Sequence, residues 1–230
     1  MKINIPMRIT IARFALLPLI LFFYISGLLW TGNSFFADWG KLVALILFVI
    51  AVSTDWLDGY LARRLNQVTD AGKILDPLAD KCLSILGFIL IITDPIFAGS
   101  GWMEAALPYW VAVIAVFLFL ARDTFVDALR AMSASKGMII PGDALGKIQR
   151  VLIYIVIPMY FAFVWLYQSS WATIIETGNV WYDAFGYACL FVLIAAVITA
   201  VWSGVNYYVN YHKEMKAREK KALQKGEHDL

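Results

Sequence analysis

Histidine is nearly missing from this chain, and the two that occur, His212 and His228, both lie close to the C-terminus. A zinc-hydrolase centre built from clustered imidazoles is therefore excluded. Cysteine is as scarce. Cys82 and Cys189 each sit in an apolar stretch, which supplies neither a disulfide framework nor a zinc pattern, so both read as small buried hydrophobes. Charge is low as well: Asp, Glu, Lys and Arg make up 16% of the residues while hydrophobic types reach 61%, with a mean hydropathy of +0.72. A soluble globular domain is nearer half apolar and about a quarter charged, so that class is excluded too. The chain shows no internal repeat and no second domain.

What it has instead is a series of apolar runs about 20 residues long, each enough to cross a bilayer as a helix. The spans are expected at roughly 9–30, 42–65, 73–93, 105–130, 145–167 and 185–208. Pro6 is placed to open the first helix, Pro77 is expected in the first turn of the third, where no amide bond is lost, and Pro158 is expected to kink the fifth. The first run is too long for a cleavable signal and has no small-residue cleavage site before Trp30. The expected fold is all-α: an integral membrane protein with a bundle of six transmembrane helices over residues 1–211 and a polar active-site cavity facing the cytoplasm. Residues 212–230 form a charged cytoplasmic tail, with Lys213, Lys216, Arg218, Lys220, Lys221 and Lys225 mixed with acids. That tail reads as a solvated helix or a disordered end.

The basic residues set the expected topology. Loops near 31–40, 94–104 and 168–184 contain no Lys or Arg, with only Lys41 beside any of them. Every other basic residue falls on the opposite side with both termini, and six spans satisfy that alternation. Trp30, Trp39, Trp102, Trp171 and Trp181 cluster on the Lys/Arg-poor side, as an interfacial belt would.

Against this apolar background, five aspartates fall from Asp55 to Asp80, and four of them, Asp55, Asp58, Asp76 and Asp80, stand in pairs at helical spacing. Asp55 and Asp58 are three apart, and Asp76 and Asp80 are four apart, so on helices each pair shares a face. Two helices meeting through Gly59 and Gly72 would aim all four at one point. An unpaired carboxylate next to hydrocarbon would take up a proton, and four together repel one another unless a strong positive charge sits among them. Clustered carboxylate oxygens suit a hard divalent cation, Mg²⁺ or Mn²⁺, and two ions fit four such groups. Spacing alone does not divide roles among the four.

The string D-x2-D-G-x2-A-R-x8-G-x3-D-x3-D runs from Asp55 through Gly59, Ala62, Arg63, Gly72 and Asp76 to Asp80 without a mismatch. It resembles the signature of the CDP-alcohol phosphatidyltransferases. Asn4-Ile5-Pro6, Thr10, Arg13 and the run from Thr54 to Gln67 are similar to the bacterial members that form phosphatidylglycerophosphate. The resemblance implies transfer of a phosphatidyl group from CDP-diacylglycerol to glycerol 3-phosphate at the cytoplasmic face of the bacterial inner membrane. By the same resemblance Asp55, Asp58 and Asp76 are metal ligands, and Asp80 is the general base, also touching a metal. Gly59, Ala62, Arg63 and Gly72 then frame the CDP moiety, although the small residues could equally serve close helix packing. A homodimer working on membrane lipid is implied, with no nucleic-acid partner.

A second group lies outside the signature: Arg122, Arg130, Lys147 and Arg150, near the inner ends of the fourth and fifth spans. Arg122 interrupts an apolar run and must point into protein or a polar cavity. It could pair with the adjacent Asp123, or with the others it could hold the phosphate of an anionic acceptor. The family pattern has Arg-Glu where this chain has Arg122-Asp123, and Gly-Lys followed by Lys-Thr where it has Gly146-Lys147-Ile148-Gln149-Arg150. Other acceptors, namely serine, an inositol phosphate or phosphatidylglycerol, remain alternatives. A divalent-cation transporter is the reading from another class, weakened by acids gathered at one face and by the lack of a repeat.

Overall fold

The computed structural model describes residues 5–29, 34–64, 70–94, 109–137, 144–168 and 180–228, with the side chains of 5, 6, 8, 28, 34, 37, 38, 55–74, 109, 167, 168, 180–183 and 219–228 outside the description. Among the described residues all regular structure is helical: α1 Ile5–Leu29, α2 Ser34–Arg64, α3 Asp70–Ile92, α4 Tyr109–Ser135, α5 Ala144–Gln168 and α6 Val180–His228. Each expected span falls on one of these helices. α3 begins three residues earlier than the sequence suggests, so Pro77 lies inside it rather than in its first turn. Its missing N–H removes one intrahelical bond there. The charged tail continues α6 as helix to His228.

Among the described residues, three stretches are long and apolar enough to cross a membrane, Ile9–Gly27, Ala144–Leu166 and Ala184–Arg218, with a shorter apolar stretch at Trp39–Thr54. Burial runs opposite to that of a water-soluble protein. Phe117, Phe191, Ile198 and Trp202 are each more than half exposed, whereas Arg13, Lys41, Asp80 and Asp94 are buried. Helices dressed this way need an apolar solvent around them. The protein is an integral membrane protein.

The residues divide into two compact units, Met1–Ala112 with Ile153–Phe191, and Val113–Leu152 with Val192–Leu230. In the first, α1 packs on α2 and α3. Its contact with α2 is close because Gly27 meets Gly40: a Cβ on Gly40 would lie 2.8 Å from the Phe23 carbonyl oxygen and 3.1 Å from the Gly27 nitrogen. Beyond this crossing, Phe161 of α5 stacks near Tyr24 and Phe48, at centroid distances of 4.8 and 5.6 Å. Gly87 of α3 receives the Ile157 side chain, which a Cβ there would meet at 2.7 Å.

The first unit also contains a buried charge cluster. Lys41 of α2 donates to Asp94, just past the end of α3, and the two side chains are 1% and 0% exposed. The Tyr24 hydroxyl donates to the same Asp94 oxygen at 2.9 Å, and the Lys41 ammonium lies 5.3 Å from the Tyr24 ring centroid. Three helices are thereby tied at one end.

In the second unit, Val126 and Leu129 of α4 pack with Tyr207, Tyr211 and Met215 of α6. α4 ends at a glycine: Gly137 adopts φ 63°, and its N–H reaches the Ala134 carbonyl. Arg218 of α6 donates to the Lys136 and Gly137 carbonyl oxygens at 3.1 and 2.8 Å. A cation is thus held where the last carbonyls and the helix dipole favour one.

Candidate active site

α2 carries Asp55, Asp58, Gly59, Ala62 and Arg63 in its final turns, and α3 carries Gly72, Asp76 and Asp80 in its first half. The two helices pack on one another. The side chains of Asp55, Asp58, Gly59, Ala62, Arg63 and Gly72 lie outside the described residues. The described part of the site is the face of α3 opposite α1. There the Thr10 hydroxyl donates to Asp76 Oδ1 at 2.6 Å, and Arg13 Nη1 donates to Asp80 Oδ1 at 3.2 Å. Thr10 and Arg13 are three apart on α1 while Asp76 and Asp80 are four apart on α3, so two parallel helices are matched turn for turn. The Arg13 side chain is fully buried and that of Asp80 is 10% exposed.

Arg13, from the first helix, brings a positive charge to Asp80. Composition marks Arg13 as an isolated cation in an apolar run, but its partner is 67 residues away. Nothing local in the chain points to it. Lys41 and Asp94 gave an equally indirect signal: a lone cation beside a loop otherwise free of Lys and Arg, and a lone acid at the end of the third span. Their pairing accounts for the exception, since the Lys41 charge is neutralised within the protein.

A metal suits what is described here. Asp76 and Asp80 present acceptor-only oxygens on one helix face, the donor type that hard divalent cations take. The described residues alone hold no cluster of three such ligands.

In the second unit, Arg122 turns inward as expected, with its side chain 13% exposed. It does pair with Asp123, Nη1 to Oδ1 at 2.8 Å, and it also donates from Nη2 to Ser203 Oγ at 2.6 Å. Gly146 lies directly under the guanidinium, where a Cβ would come within 2.7 Å of Nη2. The buried Nε–H has no hydrogen-bond partner among the described residues. Arg130 is exposed and lies over the Tyr207 ring, 5.5 Å from its centroid. Lys147 and Arg150 are exposed on the first turns of α5. Ser203 and Gly146 were not singled out from the sequence for this role, because a serine in an apolar helix and a glycine at a helix start each have commoner uses.

Two acids on one face of α3, held by a hydroxyl and a guanidinium from α1 within an otherwise apolar bundle, form a polar site in a membrane protein. The sequence profile of the CDP-alcohol phosphatidyltransferases matches residues 3–202, and the chain belongs to that family. It is 34% identical over 158 residues to a protein of Bacillus subtilis (strain 168) named CDP-diacylglycerol–glycerol-3-phosphate 3-phosphatidyltransferase, covering 64% of this chain and 70% of that one. Proteins of the same name from Salmonella choleraesuis and Escherichia coli (strain K12) are 33% and 31% identical over 210 residues, covering 90% of this chain and 94% of theirs. The family is generally dependent on divalent metal.

Proposed function

We propose that the chain transfers the phosphatidyl group of CDP-diacylglycerol to glycerol 3-phosphate, giving phosphatidylglycerophosphate and CMP. The observation that carries this reading is the complete acidic signature, with Asp76 and Asp80 held on one face of α3 by Thr10 and Arg13. The names of relatives that align over nine-tenths of the chain support the choice of acceptor.

In this reading Asp55, Asp58 and Asp76 hold Mg²⁺ or Mn²⁺, two ions in all, with Asp80 beside them. Held there, divalent cations would supply positive charge to the diphosphate and the departing phosphate. Asp80 receives the proton of the acceptor hydroxyl as its oxygen bonds to the lipid-side phosphorus. The bond from that phosphorus to the CMP oxygen breaks, and CMP leaves with the bonding pair. Arg13 keeps Asp80 oriented towards the hydroxyl. Gly59, Ala62, Arg63 and Gly72 frame the CDP. Arg122, Arg130, Lys147 and Arg150 hold the acceptor phosphate, a role supported by the inward-facing Arg122 and its unspent Nε–H. All six helices cross the bacterial inner membrane, with both termini and a polar cavity on the cytoplasmic side, and the protein acts as a homodimer.

The test offers purified protein in lipid nanodiscs labelled CDP-diacylglycerol with glycerol 3-phosphate, serine, an inositol phosphate or phosphatidylglycerol in turn. Phosphatidylglycerophosphate and CMP should form with the first alone, and chelation should stop the reaction. Asp80→Asn should lower turnover by roughly 10²–10⁴-fold, the scale of general-base removal. Metal flux through proteoliposomes without release of CMP would overturn the assignment.

A further inference from the structure

The geometry points to Arg13 as a resident counter-charge on Asp80, one that positions this acid and also tempers how tightly a metal site beside it holds a divalent cation. This rests on the transfer reading above. The guanidinium is fully buried, so water screens its charge little, and its recorded ion-pair partner is a signature aspartate. The neighbouring contact, Thr10 to Asp76, is a neutral donor on an acid at 2.6 Å. Between these two described contacts, it is Arg13 that brings charge. It withdraws one negative charge from a set that would otherwise repel itself and bind cations as strongly as its geometry allowed. An enzyme that must release CMP together with its metal contacts gains from a site that does not hold cations too tightly. An arginine supplies that restraint permanently, because it does not lose its proton in proteins.

A merely architectural ion pair and a counter-charge predict opposite signs. If Arg13 only shapes α1 against α3, removing it loosens the site and weakens metal binding. If it is a counter-charge, neutralising it leaves the acids more negative and strengthens metal binding, while turnover falls because Asp80 is no longer held.

The experiment strips the purified protein of metal and titrates Mn²⁺, following the free ion by electron paramagnetic resonance. Arg13→Gln should bind Mn²⁺ roughly ten- to a hundredfold more tightly than the wild type, the scale of one unit charge near a divalent ion under partial screening. Arg13→Lys, which keeps the charge, should stay within about threefold of the wild type. Because Arg13→Gln strands a buried carboxylate and so threatens folding, a second comparison removes that carboxylate first. The doubly substituted Arg13→Gln/Asp80→Asn protein should bind Mn²⁺ more tightly than Asp80→Asn alone. Equal or weaker binding in either comparison overturns the inference and leaves the transfer reading intact. A wild type that binds no Mn²⁺ sinks both.

Discussion

Removing the Lys41 charge should destabilise the protein far more than removing Lys41 and Asp94 together. Their side chains are 1% and 0% exposed, so neither can turn to water when the other is lost. Breaking a buried pair from one side costs about 3–5 kcal/mol, because the survivor is left charged in a low-dielectric setting. Replacing both partners by apolar groups of similar volume is near neutral or better. For a chain of this length each kcal/mol moves the thermal midpoint by roughly 2–4 °C. Lys41→Met alone should therefore lower the midpoint by roughly 6–20 °C, while Lys41→Met/Asp94→Leu should sit close to the wild type. Tyr24→Phe removes a hydrogen bond to a charged acceptor, about 1.5–3 kcal/mol, and should cost almost nothing once Asp94 is gone. The assay is size-exclusion chromatography of heated samples in detergent at one fixed heating regime, since unfolding of such proteins is irreversible. Simple addition of the two single losses in the double variant would refute the reasoning, because independent sites add and coupled ones do not.

At the Gly27–Gly40 crossing, Gly40→Ala should cost about 1–3 kcal/mol, because the new carbon meets backbone on both counts. Gly87→Ala should cost less, since the Ile157 side chain it meets can shift, and a thermal midpoint for Gly40→Ala at or above that of Gly87→Ala would contradict this. Cysteine at position 178 should react with an impermeant thiol reagent outside intact cells, and Ser135→Cys only after the membrane is opened; the reverse labelling would invert the topology. Arg122→Gln should raise the Michaelis constant for glycerol 3-phosphate by roughly ten- to a hundredfold, the equivalent of one lost charge-assisted hydrogen bond. The constant for CDP-diacylglycerol should barely move, and equal effects on both substrates would assign Arg122 to the fold alone.

Helix positions were legible because hydropathy is a local property, repeated along the chain. The early start of α3 escaped because its first turn, Asp70 to Lys73, is polar and reads as connection, which put the expected start near Lys73 and Pro77 in the first turn. The shared face of Asp76 and Asp80 was legible for the same local reason, as was the inward turn of Arg122 from an apolar run. Partnership was not legible. Thr10 meets Asp76 across 66 residues, Lys41 meets Asp94 across 53, and Arg122 meets Ser203 across 81. Those contacts depend on which helices lie side by side, and no periodicity within a single helix carries that information. The pairing of Arg122 with Asp123 was foreseeable because the two are adjacent.

The separation of Arg13 from Asp80 has a consequence for how the protein is made. Ribosomes add roughly 5–20 residues per second, and 67 residues separate the two partners. For about 3–13 s of synthesis the first helix exists without the acid that neutralises its arginine. An arginine costs an inserting helix about 2.5–3.5 kcal/mol at its centre and less near an end. Arg13, one turn inside the span from Ile9 to Gly27, imposes that smaller cost, which the apolar residues of the helix must outweigh by themselves. The nascent first helix is therefore held in the bilayer by hydrocarbon alone, and its charge becomes an asset only when the third helix arrives.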